Sequence, residues 1–117
     1  MRKILVLDDD QVILDLLSTV LGDAGYDAVV AAGPDAIRAD VNPDLVITDL
    51  VPLKAYQRDA ALGWVSRLRT RFAGASIFVL TAHRAAAAEP DLLGASAVIT
   101  KPFDVDALLA KIEEVLS

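Results

Sequence analysis

Cysteine is absent from the 117 residues, which excludes a disulfide framework and a thiolate zinc site and is compatible with a reducing compartment. No apolar run approaches the roughly 20 residues that a membrane helix needs. The opening Met1-Arg2-Lys3 leads into Ile4-Leu5-Val6-Leu7 and then three aspartates, so charge arrives too early for a secretory signal. Positive charge is in short supply. Lys and Arg number 11 against 17 Asp and Glu, a formal net charge of -6, which disfavours nonspecific association with nucleic acid or anionic lipid. Repeats, low-complexity linkers and charge blocks are missing too, so nothing divides the chain. Its length suits one domain, residues 1–117, with a core that needs no staples. A single, soluble, cytoplasmic domain is the expectation.

What is present is an alternation of two periods. Short apolar runs at Ile4–Leu7, Ala28–Ala31, Leu45–Thr48, Ile77–Leu80 and Ala97–Ile99 predict strands buried on both faces. Between them the spacing is helical. Ile13, Leu16, Leu17, Val20, Leu21 and Ala24 share one face, with Gly25 as the residue just past the helix end. Pro34 suits the first turn of a short second helix that Asn42-Pro43 closes. Ala61, Val65, Leu68 and Phe72 predict a third helix, in which Trp64 and Phe72 serve the core. Asp104 caps a last helix whose apolar face is Val105, Leu108, Leu109, Ile112 and Leu116. The fourth helical segment is the weak one, because Pro90 follows the alanines of 85–88 and should shorten or break it. Five alternations of strand and helix predict an α/β fold, a doubly wound parallel sheet with helices on both faces and right-handed crossovers.

In such sheets ligands bind beyond the carboxyl ends of the strands. There the first strand runs into Asp8-Asp9-Asp10, the third ends at Asp49, the fourth at Thr81 and the fifth at Thr100-Lys101-Pro102. Carboxylates about 4 Å apart repel by a few kcal/mol near a protein surface, so one must take a proton or a cation must bind between them. Hard oxygen donors suit magnesium. Lys101 supplies a second positive group and Thr81 a hydroxyl for an oxyanion, while an aspartate can act as nucleophile toward phosphorus. Each piece alone has a plainer explanation: a solvated turn or helix cap for the aspartates, a loop before a helix for Lys101-Pro102-Phe103. The argument rests on the set recurring, in order, at four strand ends.

Those residues resemble the receiver domains of response regulators. Lys3 to Asp10 with Ile13-Leu14 and Leu16-Leu17 is similar to the family's opening. Pro43-Asp44-Leu45-Val46-Ile47-Thr48-Asp49-Leu50 resembles its phosphoacceptor strand, and Thr81-Ala82, Gly94-Ala95 and Lys101-Pro102-Phe103 its remaining signature. The resemblance spans the chain and implies the flavodoxin-like strand order 2-1-3-4-5. It implies that Asp49 accepts a phosphoryl group from a histidine kinase or phosphotransfer protein. Mg2+ would be held by Asp9 and Asp49, with Asp8 assisting through water and the Val51 carbonyl as a further ligand. Lys101 would contact the phosphoryl oxygens, Thr81 would move toward them, and Asp10 would cap or support. Output would pass to a partner or to an effector domain, which the sequence does not exclude after Ser117. As a signalling domain it would at most phosphorylate itself from small donors and lose the group slowly.

The chain departs from the family in four places. Pro52 lies three residues after the acceptor rather than four, which pushes Val51 toward extended backbone. Residues 53–62 form a longer, polar loop, read either as a tolerated insertion or as a lid whose Lys54 or Arg58 reaches the phosphate. Val98 replaces the usual switch aromatic, so coupling through a rotating ring cannot operate. Val51 and His83 occupy positions that influence the attacking water; valine cannot orient it, which predicts slow loss of the phosphoryl group, while His83 reads as an exposed loop residue. Two rivals remain: a receiver-like module that works without phosphorylation, and a flavodoxin-like enzyme or nucleotide binder. The second lacks a phosphate loop, since Asp8-Asp9-Asp10-Gln11 stands there. No basic helix is available for direct nucleic-acid binding.

Overall fold

The computed structural model describes residues 2–49, 58–82 and 95–116. Its strands are β1 (Lys3–Leu7), β2 (Asp27–Ala31), β3 (Leu45–Asp49), β4 (Ser76–Thr81) and β5 (Ala97–Thr100). Its helices are α1 (Gln11–Asp23), α2 (Arg58–Arg71) and α3 (Val105–Leu116). Each expected strand forms within one residue of its expected ends. All pairings are parallel and the sheet order is β2-β1-β3-β4-β5, the doubly wound α/β arrangement expected.

Strand alternation sorts the core into two halves. Ile4, Val6, Leu45, Ile47, Phe78 and Leu80 face α1 and α3, meeting Leu14, Leu17, Leu21, Leu108 and Ile112. Leu5, Leu7, Val46, Ile77 and Val79 face α2, meeting Ala61, Trp64, Val65 and Leu68. The central strands β1, β3 and β4 are buried almost throughout. Burial on both faces does not extend to the sheet edges. β2 is partly exposed, with Val30 at 37 %, and β5 is only half-buried, because each has a neighbour on one side alone.

Asp10 caps α1, its carboxylate accepting from the Val12 amide at 2.9 Å. The helix ends where Gly25 takes φ +95°, with Gly25 N–H donating to the Gly22 carbonyl and Tyr26 N–H to that of Leu21. This paired closure needs the left-handed conformation that glycine adopts without strain. The buried stripe of α1 is Leu14, Leu17 and Leu21, turned one residue from the expected face. Leu16 is 39 % exposed and Val12 72 %.

Two further expectations are corrected. The second helix reduces to one 3-10 turn, Pro34–Ala36. Asp40, Val41 and Asn42 are weak helix formers and Asn42 precedes proline, so the chain instead anchors through buried Ile37. The loop expected over 53–62 is helical from Arg58 onward. Ala60, Ala61 and Leu62 favour helix, and Asp59 in the first turn suits the positive N-terminal end. The weak fourth helical segment, Pro52, Lys54 and His83 lie outside the described residues.

Candidate functional site

The registers bring the strand ends together. Leu7 pairs with Thr48, Asp49 with Leu80, and Thr81 with Thr100. Neighbouring strands lie under 5 Å apart, so the residues at and just past these pairs meet along one edge. Two hydrogen bonds extend the ladders: Asp8 N–H donates to the Ala31 carbonyl at 3.2 Å and Lys101 N–H to that of Thr81 at 2.8 Å. The Lys101-Pro102 peptide is cis.

Asp8 is fully buried. One carboxylate oxygen accepts from Lys101 Nζ at 2.9 Å and the other from the Asp10 amide at 2.9 Å. Lys101 Nζ also lies 3.5 Å from Asp49 Oδ2. Asp9 is exposed and Asp49 half-buried. Asp8, Asp9 and Asp49 each offer a carboxylate oxygen, and these atoms lie within 4.8 Å of one another. Three acidic side chains therefore gather at one point, and the single ammonium beside them contacts Asp8 and Asp49.

Burial pulls the Lys101 pKa down. The hydrogen bond to Asp8 and the charges of Asp49 and Asp8 outweigh it and hold the pKa above the ordinary 10.5. The lysine is thus a firm cation at neutral pH. It cannot match three carboxylates at such spacing, where repulsion is several kcal/mol. The all-oxygen donor set, open at Asp9, fits a small hard divalent cation.

Thr81 is fully buried at the end of β4. Of the expected site residues, Asp8, Asp9, Asp49, Thr81 and Lys101 are thus gathered at one edge, while Val51 lies outside the described residues. Asp10 faces the helix it caps rather than the acidic group.

One polar contact was not foreseen. The Trp64 indole N–H donates to Thr48 Oγ1 at 3.0 Å, and that hydroxyl donates to the Asp49 carbonyl at 2.6 Å. The only available signal was a threonine inside an apolar strand run, which reads as ordinary strand chemistry.

The profile of the response regulator receiver domain matches residues 4–113. The chain belongs to that family. This receiver domain is 34 % identical over 123 residues to the DNA-binding dual master transcriptional regulator RpaA of a Synechocystis species, covering 99 % of the chain and 49 % of the relative. The chain spans about half the length of the curated relatives it matches. Among solved structures it is similar to the chemotaxis protein CheY4 of Vibrio cholerae, with TM-score 0.76, 26 % identity and 98 % of each chain covered. It is likewise similar to the response regulator TrrA of Thermotoga maritima in complex with Mg2+ and BeF, with TM-score 0.77, 27 % identity, and 98 % and 99 % covered. It is therefore a signalling domain of two-component response regulators, a family consistent with phosphorylation-dependent switching. Among the described residues no helix is long and apolar enough to cross a membrane.

Proposed function

We propose that this receiver domain is a cytoplasmic switch that takes up a phosphoryl group on Asp49. The observation that carries the reading is the Asp8, Asp9 and Asp49 cluster with Lys101 Nζ between Asp8 and Asp49. The residues 1–117 act as one receiver unit. The donor is a histidine kinase or phosphotransfer protein. An Asp49 oxygen forms the new bond to phosphorus as the phosphorus–nitrogen bond of the donor's phosphohistidine breaks, and the imidazole nitrogen keeps that electron pair.

Mg2+ would be held by Asp9 and Asp49, with the Val51 carbonyl as a further ligand, and would offset charge on the phosphoryl oxygens. Asp8 acts at one remove, since both its oxygens already accept protein hydrogen bonds. Its work is to hold Lys101. The lysine, kept protonated by that contact, binds a phosphoryl oxygen and draws charge away as the group transfers. Thr81 offers its hydroxyl to another phosphoryl oxygen from the end of β4. Ile13 and exposed Leu16 on α1 line a groove with Pro102 and Phe103 beside Lys101, which gives the donor protein an apolar landing. Output passes to a partner or effector domain rather than through direct nucleic-acid binding by this unit.

The test is intact mass after incubation with acetyl phosphate or phosphoramidate, with and without Mg2+, beside Asp49→Asn. The expected result is a magnesium-dependent gain of one phosphoryl group that the variant lacks. No gain by the wild type under any of these conditions overturns the reading in favour of a phosphorylation-independent interaction module.

A further inference from the structure

The polar chain behind the acceptor has a fixed direction. An indole N–H can only donate, whereas a hydroxyl has one proton and two acceptor positions. Trp64 Nε1 donates to Thr48 Oγ1, so the hydroxyl proton is left for the Asp49 carbonyl. Trp64 is 6 % exposed and Thr48 fully buried. Trp64 is also the single tryptophan of the chain. The Arg67 guanidinium lies 5.9 Å from the centroid of the indole ring.

Packing alone does not call for this arrangement. Thr48 continues the face of β3 on which Val46 meets α2, and valine would fill the same space without a polar group to satisfy. Burying a hydroxyl and an indole N–H is tolerated only because each finds a partner. What the pair gains is geometry: the carbonyl it grips belongs to the acceptor residue itself. Holding that peptide plane restricts the backbone torsion of Asp49, and so the aim of the carboxylate that must meet both phosphorus and metal. Small errors of aim are costly in a group transfer that depends on positioning.

We propose that Trp64 and Thr48 are positioning residues for phosphoryl uptake, a relay from α2 through the Thr48 hydroxyl to the Asp49 backbone. The proposal rests on the reading of Asp49 as phosphoacceptor. Because the relay is mechanical, it runs both ways: filling the acidic site shifts the Asp49 peptide, and the environment of Trp64 shifts with it.

The experiment compares wild type, Thr48→Val, Thr48→Ser and Trp64→Phe, each verified as folded by circular dichroism. Phosphoryl uptake from phosphoramidate with Mg2+ is timed by intact mass, and Trp64 emission is followed while Mg2+ and beryllofluoride are added. Thr48→Val should slow uptake about 5-fold, the worth of one ordinary hydrogen bond, and lose the emission change seen in wild type. Thr48→Ser, which keeps the hydroxyl, should restore the emission change and bring uptake to within about 2-fold of wild type. Should Thr48→Val fail to fold, Trp64→Phe carries the rate test, since it removes the N–H and keeps an aromatic ring. Wild-type uptake matched by folded Thr48→Val, or by Trp64→Phe in its place, overturns the relay and leaves the phosphoacceptor reading standing. A wild type that takes up no phosphoryl group overturns that reading and the relay with it.

Discussion

The two ends of this sheet use the same residue types under opposite conditions. At the amino ends of the strands, Arg2 lies 3.8 Å from Asp44 and Lys3 3.8 Å from Asp27, with side chains 36–55 % exposed. At the carboxyl ends, Lys101 meets Asp8 at 2.9 Å and Asp49 at 3.5 Å, with side chains 21 %, 1 % and 21 % exposed. The first set sits in water, which screens it, and contributes little. The second is taken out of water, so every partner matters and an imbalance of charge is felt as a demand for a cation. The proposed phosphoryl site lies at the end where charge is expensive to hold. The lesson is that burial, rather than the number of ion pairs, separates a working edge from a solvated one.

The hardest way to break the contrast is to remove the buried cation. Lys101→Met should destabilise the domain by about 2–4 kcal/mol at neutral pH, at the lower side for a broken buried pair because two of the three side chains keep some solvent. Urea unfolding without magnesium measures it. The same variant gives the pH signature. A lysine whose pKa is raised in the folded state contributes stability that is complete below its unfolded pKa and is lost as pH rises through the folded one. The gap between wild type and Lys101→Met should therefore hold from pH 7 to about 9.5 and close only above the ordinary 10.5.

A smaller effect is expected behind Asp49. Thr48→Val leaves the buried indole N–H without its partner and should cost about 1–3 kcal/mol in the same assay. Magnesium sharpens the comparison from the other side. At about ten times its dissociation constant it should add about 1.4 kcal/mol to the wild type and nothing to Asp49→Asn beyond a residual weak effect. Asp10→Ala removes only the cap of α1 and should cost about 1 kcal/mol. The least change belongs to the solvated end: Asp27→Asn should stay within about 0.5 kcal/mol and fade with added salt. A loss at Asp27 equal to that at Lys101 would overturn the contrast.

Much of this was legible in the sequence. The apolar runs marked all five strands because central strands bury both faces, and the edge strands kept enough apolar residues to be seen. Gly25 and Asp104 announced their roles because caps are set by local backbone chemistry: Gly25 adopts φ +95° and Asp104 accepts from the Asp106 amide at 2.9 Å. The acidic set with Lys101 was legible as a list at strand ends. Where local signals competed, the reading slipped. The stripe of α1 turned by one residue because Ile13, Leu14, Leu16 and Leu17 offer two adjoining apolar faces, and packing against β1 and β3 chose between them. The second helix shrank to a single turn, and residues 58–62, with buried Ala61, joined α2, because helix length is decided by what the turn buries as well as by propensity.

The sequence by itself determined the five strands, the helices α1, α2 and α3 short of their exact ends, the family, and which chemical groups stand at which strand ends. All of these follow from period, cap chemistry and motif, which act over a few residues at a time. Only the tertiary structure decided who meets whom. Lys101 reaches Asp8 across 93 residues and Trp64 finds Thr48 across 16, contacts that depend on strand register and on the rotation of α2 about its axis. Those are settled by packing the whole core at once, since a one-residue slip in register would turn each side chain to the other face.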